Sequence, residues 1–124
     1  MPAASTLTPP LERLDALFKG FADPTRIRIL NLLTAGELCV CDIVGLLRLP
    51  QSTVSRHLGY LLRSGLVAVS RERKFAHYRL ADPTTSVQQT LLSCVRTCFR
   101  GIASLEAERA RAAQRVRLRE RDPC

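Results

Sequence analysis

Residues 50–65 read PQSTVSRHLGYLLRSG, and this stretch decides the fold. Pro50 suits the opening of a helix and Gly65 its left-handed stop. Val54, Leu58, Leu61 and Leu62 recur at helical spacing and form one apolar stripe. The other face offers Gln51, Ser52, Thr53, Ser55, Arg56 and His57 within the first two turns. A helix that reads duplex DNA presents its N-terminal residues to the major groove in this way. Arg can bridge O6 and N7 of guanine, Gln can read adenine, and Ser or Thr suits bases or phosphates.

Upstream, residues 37–47 predict a short helix carrying Cys39 and Cys41, with Arg48, Leu49 and Pro50 as a tight connection. Downstream, Val67 and Val69, then Tyr78 and Leu80, alternate with polar or small neighbours as two strands do. The basic tip Arg71, Glu72, Arg73, Lys74 lies between them. Two short helices joined by a tight turn, followed by a hairpin with a basic tip, predict a winged helix-turn-helix. The fold class is mainly α with a small β-hairpin. Arg71, Arg73 and Lys74 of the wing are assigned to phosphates or the minor groove, adding affinity and salt dependence more than sequence choice. His57 reads as a surface polar contact and His77 as a wing residue.

Farther out, Thr8 reads as an N-cap before Pro9, with Leu11, Leu14, Leu17, Phe18 and Phe21 on one helical face. Asp23 caps a second helix that begins at Pro24, carries Ile27, Leu30 and Leu33, and stops at Gly36. After Asp82 and Pro83, one long helix carries Val87, Leu91, Leu92, Val95 and Ile102, and turns polar and Arg-rich from Glu106. The expected plan is a flexible arm over 1–7, a winged helix-turn-helix domain with dimerisation helices over 8–105, and a solvated polar tail over 106–124.

Composition agrees with a nucleic-acid partner. The 124 residues carry 19 Lys+Arg against 11 Asp+Glu, for a formal charge of +8. Residues 48–79 concentrate this excess: Arg48, Arg56, Arg63, Arg71, Arg73, Lys74 and Arg79 face one acid, Glu72. A basic block inside the fold is the footprint of a polyanion-binding surface. The sequence has no run long and apolar enough to span a membrane. Its first ten residues lack a secretory pattern, so the expected address is the cytoplasm. Five cysteines, an odd number, argue against a disulfide framework and for metal, metalloid or redox chemistry. No phosphate loop and no nucleophile–base pairing argues for an enzyme.

DPTRIRIL (23–30), ELCVCDI (37–43), LPQSTVSRHLGYLLRSGLV (49–67) and YRL (78–80) together resemble the ArsR–SmtB family of metal-responsive repressors. The resemblance covers about residues 11–100. It implies a homodimer built through the first and last helices, and a repressor that leaves its DNA operator when an inducer binds. A dimer has independent sense: two recognition helices one turn apart read a palindromic operator. It would also bury the apolar side of the long last helix.

ELCVCD is similar to the inducer site of arsenite and antimonite sensors, and also of cadmium and lead sensors, with Cys39 and Cys41 at the matching positions. Arsenite sensors of that kind carry a further cysteine where this chain has Val44, and cadmium–lead sensors add cysteines from an N-terminal arm, which here has none. Cys94 and Cys98 are the obvious supplement, because four residues apart on a helix they face together. Cys39 and Cys41, two apart, would diverge by about 200° in an ideal helix and could share an ion only if the helix start unwinds. The expected inducer is As(III) or Sb(III), held by thiolates drawn from Cys39, Cys41, Cys94 and Cys98 in one site or two. Thiolates also suit Cd(II) or Pb(II). A thiol redox or persulfide sensor, pairing Cys41 with Cys94 or Cys98, is the alternative of another class. Cys124 reads as a bystander.

Overall fold

The computed structural model describes residues 10–72 and 74–121. The expected arm over 1–7, Thr8, Arg73 and Cys124 lie outside these residues. Helix α1 spans Leu11–Gly20, with Pro10 as its N-cap. Helix α2 spans Pro24–Leu33. Asp23 caps it as expected: its Oδ1 accepts the N–H of Thr25 at 2.8 Å and of Arg26 at 3.1 Å. The helix stops at Leu33, before Gly36, which follows at φ +144°.

The next segment departs from expectation. Leu38–Cys39 is a short strand, β1, and the helix begins after it as α3, Val40–Leu47. Cys39 is extended (φ −87°, ψ 168°) and forms the N-cap of α3. The run LCV is apolar enough to read as the start of a helix, but a free sheet edge competes for its backbone. Strand β3 (Phe75–Leu80) takes it up, pairing Leu38 with Tyr78 and Cys39 with His77. Strand β2 (Val67–Glu72) pairs with the other edge of β3, so the wing is a three-stranded antiparallel sheet in the order β1-β3-β2.

Helix α4, Gln51–Ser64, follows the turn at Arg48, which adopts φ 56°, ψ 45° and donates its N–H to Val44 at 2.8 Å. Gly65 ends α4 in the left-handed region (φ 85°) that glycine adopts without strain. Val54, Leu58 and Leu61 are fully buried with Ile29, Leu30, Leu32, Leu38 and Ile43 in one core beneath the helix-turn-helix. Arg26 staples α1 and α2 to α4. Its guanidinium lies 4.2 Å from the Tyr60 ring centroid, and it donates to the Lys19 carbonyl at 2.8 Å.

The expected single long helix is two. Helix α5 spans Ser86–Thr97 and is capped by the Thr85 hydroxyl. The chain then turns through residues 98–102, with Gly101 at φ +87°, and α6 runs Ala103–Arg121. The expectation of a solvated segment from Glu106 also meets a different outcome. Helix α6 folds back on α2 and α3. Ala112 is fully buried, Val116 packs on the core, and the Asn31 side-chain amide donates to the Leu105 carbonyl at 2.8 Å. Few apolar residues mark α6, because its docking is built largely from ion pairs.

Candidate DNA interface and thiol site

The exposed face of α4 holds Gln51, Ser52, Ser55 and Arg56, with Thr53 half-buried. Of the expected DNA-reading set, these are the side chains that α4 leaves accessible. His57 is not among them. It is 8% exposed, and its Nδ1 lies 3.3 Å from the Arg26 guanidinium. The stripe of Val54, Leu58 and Leu61 is wide enough to take His57 into its margin. Burial there lowers the His57 pKa below 6.5, with Arg56 and Arg26 adding to the effect against the pull of Asp23. His57 is therefore corrected from a groove-facing residue to a packing residue between α4 and α2.

On the wing, Glu72 pairs with Phe75 and Arg71 with Ala76. Arg71 and Lys74 are exposed. His77 is half-buried and stands opposite Cys39 across the β1–β3 ladder.

The thiols form two separate groupings. Cys39 is buried and Cys41 exposed, yet their Sγ atoms are 2.6 Å apart. The expected divergence does not arise, because Cys39 precedes the first helical residue and its side chain is set by the strand. Asp42 completes the group. Its Oδ2 accepts the Cys39 backbone N–H and the Cys39 thiol, each at 3.2 Å. One ligand atom from each of Cys39, Cys41 and Asp42 lies within 4.8 Å of the others. Among the described residues, neither Cys94 nor Cys98 belongs to this group. Burial pushes the Cys39 thiol above 9.0.

Asp42 is 1% exposed at its side chain, and its Oδ1 receives Arg115 Nε of α6 at 2.5 Å. Sequence reading missed this partner, since 73 positions separate the two residues. The signal available was an acid inside an otherwise apolar helix, which must find a counter-charge when buried.

Cys94 and Cys98 face together on α5, as their spacing predicts. The Cys94 pKa is raised, first by a hydrogen bond with Cys98 and then by burial. Both thiols are free, and with Ser93 and Thr97 they line an open cleft of about 380 Å³.

Residues 23–69 match the family described as bacterial regulatory protein, arsR family. The arsenical resistance operon repressor of Staphylococcus xylosus is 30% identical over 92 residues, covering 74% of this chain and 88% of that protein. The chain belongs to the ArsR family. A second ArsR-family relative, the arsenical resistance operon repressor of Escherichia coli, is 48% identical over 66 residues, or 52% of this chain. There the match spans just over half of the relative, 56%. The solution structure of the homodimeric winged helix-turn-helix DNA-binding domain of a Mycobacterium bovis protein superposes with a TM-score of 0.61. It is 30% identical and covers 71% of this chain and 79% of that one. The relatives named here are regulators of transcription or DNA-binding domains, and the ArsR-family fold accounts for the helix-turn-helix and wing of this chain.

Proposed function

We propose that this chain is a homodimeric repressor that binds a palindromic operator and is released when As(III) or Sb(III) binds its thiolates. The observation that carries the reading is the pairing of Cys39 and Cys41 sulfurs at the head of α3. Two soft donors brought together there need only a side-chain adjustment that widens their separation to hold one thiophilic centre. The two arsenical resistance repressors to which the chain is similar favour the metalloid. A third thiolate would come from Cys94 or Cys98, from the same or the partner subunit; otherwise the two pairs act as two sites.

Gln51, Ser52, Thr53, Ser55 and Arg56 are the base-edge and phosphate contacts in this reading, with Arg71, Arg73 and Lys74 on the backbone. The dimer forms through α1 and α5, where the exposed Phe18 joins Val87 and Leu91 in an apolar cleft. Binding at Cys39 acts on DNA affinity through two connections. Cys39 caps α3, the first helix of the helix-turn-helix, and pairs with the wing at His77. Replacing the thiol proton removes the donor to Asp42 and disturbs both.

Cd(II) or Pb(II) is the second reading, favoured by the Asp42 carboxylate beside the two sulfurs, since a mixed sulfur–oxygen set suits these ions better than As(III). The deciding experiment is fluorescence-anisotropy binding to a palindrome from the chain's own promoter, under reducing conditions, with each ion titrated in turn. Release by arsenite and antimonite, lost in Cys39→Ser/Cys41→Ser, supports the first reading. Release by cadmium or lead alone supports the second. Release by mild oxidant alone would move the function to a thiol redox sensor.

A further inference from the structure

Helix α6 brings cations to the helix-turn-helix that its connectivity does not require. Three contacts lock it there. Arg28 binds Glu108 through two nitrogens, at 2.5–3.2 Å; Arg115 binds Asp42 at 2.5 Å; and Val116 fills the space a Cβ on Gly36 would occupy. Glu106 is likewise paired, with Arg109 at 2.5 Å. The acids of α6 over 103–118 are thus neutralised within the fold, while Arg111 and Arg117 stay exposed.

Arg111 lines one open cleft of about 420 Å³ together with the end of α3 and the turn residue Arg48. Arg28 and Glu108 line the same cleft as an ion pair. Arg48 is exposed and stands three residues before Gln51, so their Cα atoms are at most about 11 Å apart. When the start of α4 enters a major groove, the turn that precedes it lies at the groove edge, where phosphates line the duplex.

We propose that Arg48 and Arg111 form an accessory phosphate site, through which α6 clamps the operator backbone beside the recognition helix. This rests on the DNA-binding reading above and extends the contact surface beyond α4 and the wing. Backbone contacts carry no sequence information, so the site adds affinity to every duplex equally.

The test compares wild type, Arg48→Asn and Arg111→Gln on two 30-base-pair duplexes, one from the chain's own promoter and one scrambled. Asn tolerates the left-handed backbone at position 48, and circular dichroism melting checks that each variant folds. Dissociation constants are measured by anisotropy from 50 to 300 mM KCl. Each lost phosphate contact should lower the slope of log affinity against log salt by about 0.9 per protomer. Affinity should fall by the same factor on both duplexes, and Arg117→Gln, on another side of α6, should leave the slope unchanged. Unchanged slopes in both variants, or an equal drop in Arg117→Gln, overturn the site. Arg56→Ala reports on the recognition helix separately. If it leaves promoter preference intact while Arg48→Asn lowers the slope, the assignment of α4 falls and the accessory site stands.

Discussion

Arg115 on α6 and Asp42 on α3 meet at 2.5 Å, and the second oxygen of Asp42 holds Cys39. A single buried carboxylate therefore touches both the thiol site and the C-terminal helix. Arg115→Ala leaves that carboxylate short of its charged donor. The expected cost is about 2 kcal/mol, the scale of a hydrogen bond to a charged group. Urea denaturation reads it. Hydrogen exchange should also speed up along α6 before the rest of the fold. An unchanged midpoint would mean that the pair is exchanged for water at no cost.

Gly36 tests the same docking without touching a charge. Its φ of +144° is unfavourable for any L side chain, and a Cβ there would lie 3.1 Å from Val116 Cγ1. Gly36→Ala should lose about 1–3 kcal/mol, the range for a residue held in a glycine-only region. The double variant Gly36→Ala/Val116→Ala should recover the steric part and keep the backbone part. A full recovery would locate the whole cost in the clash.

The raised pKa of Cys39 sets a direction for inducer uptake. A thiol must lose its proton to become a ligand, so affinity for cadmium should rise with pH through the neutral range, whereas arsenite, As(OH)3, takes up the thiol protons on its departing hydroxides and should bind with little pH dependence. For one proton released the gain is about tenfold per unit. The linked stability term has the opposite sense. A folded pKa above 9.0 favours the folded state at lower pH, and that contribution is lost as pH rises through the folded value. Calorimetric titration from pH 6.5 to 8.5 checks the first effect. A pH-independent cadmium affinity would remove Cys39 from the ligand set.

His57 gives a pH dependence at the acid end. Its pKa is lowered, so its contribution is present above about 6.5 and lost as pH falls through the depressed value. Wild type should lose stability below pH 6.5. His57→Gln, which keeps an acceptor for Arg26, should lose less over the same window. Equal losses in both proteins would assign the acid sensitivity elsewhere.

Arg56→Ala should weaken operator binding by about 1–3 kcal/mol if the guanidinium reads a base, and relax preference at one position of each half-site. A loss equal on operator and scrambled duplex would reassign Arg56 to the backbone.

The helix-turn-helix was legible because local signals agreed. Asp23 with Pro24 marked one helix start, the Val54–Leu58–Leu61 stripe marked the buried side of another, and Gly65 marked its end. The resemblance carried by ELCVCD pointed to Cys39 and Cys41. Three features were hidden because they depend on distant partners. Strand β1 exists only because β3 offers it an edge 40 positions away, where Leu38 meets Tyr78. His57 is buried because Arg26 stands opposite. The docking of α6 rests on Arg28, Asn31 and Asp42, none of which belongs to a periodic pattern shared with α6. Apolar periodicity reports which face is inward, but it carries no record of which charge finds which.

Residue 39 is the last of β1 and the cap of α3. The wing and the first helix of the helix-turn-helix therefore join covalently at one residue. The sulfur that would receive the inducer is attached to that residue. A change of a few degrees there would be carried into both the strand and the helix, so in the proposed reading the wing and α3 shift relative to one another without unfolding.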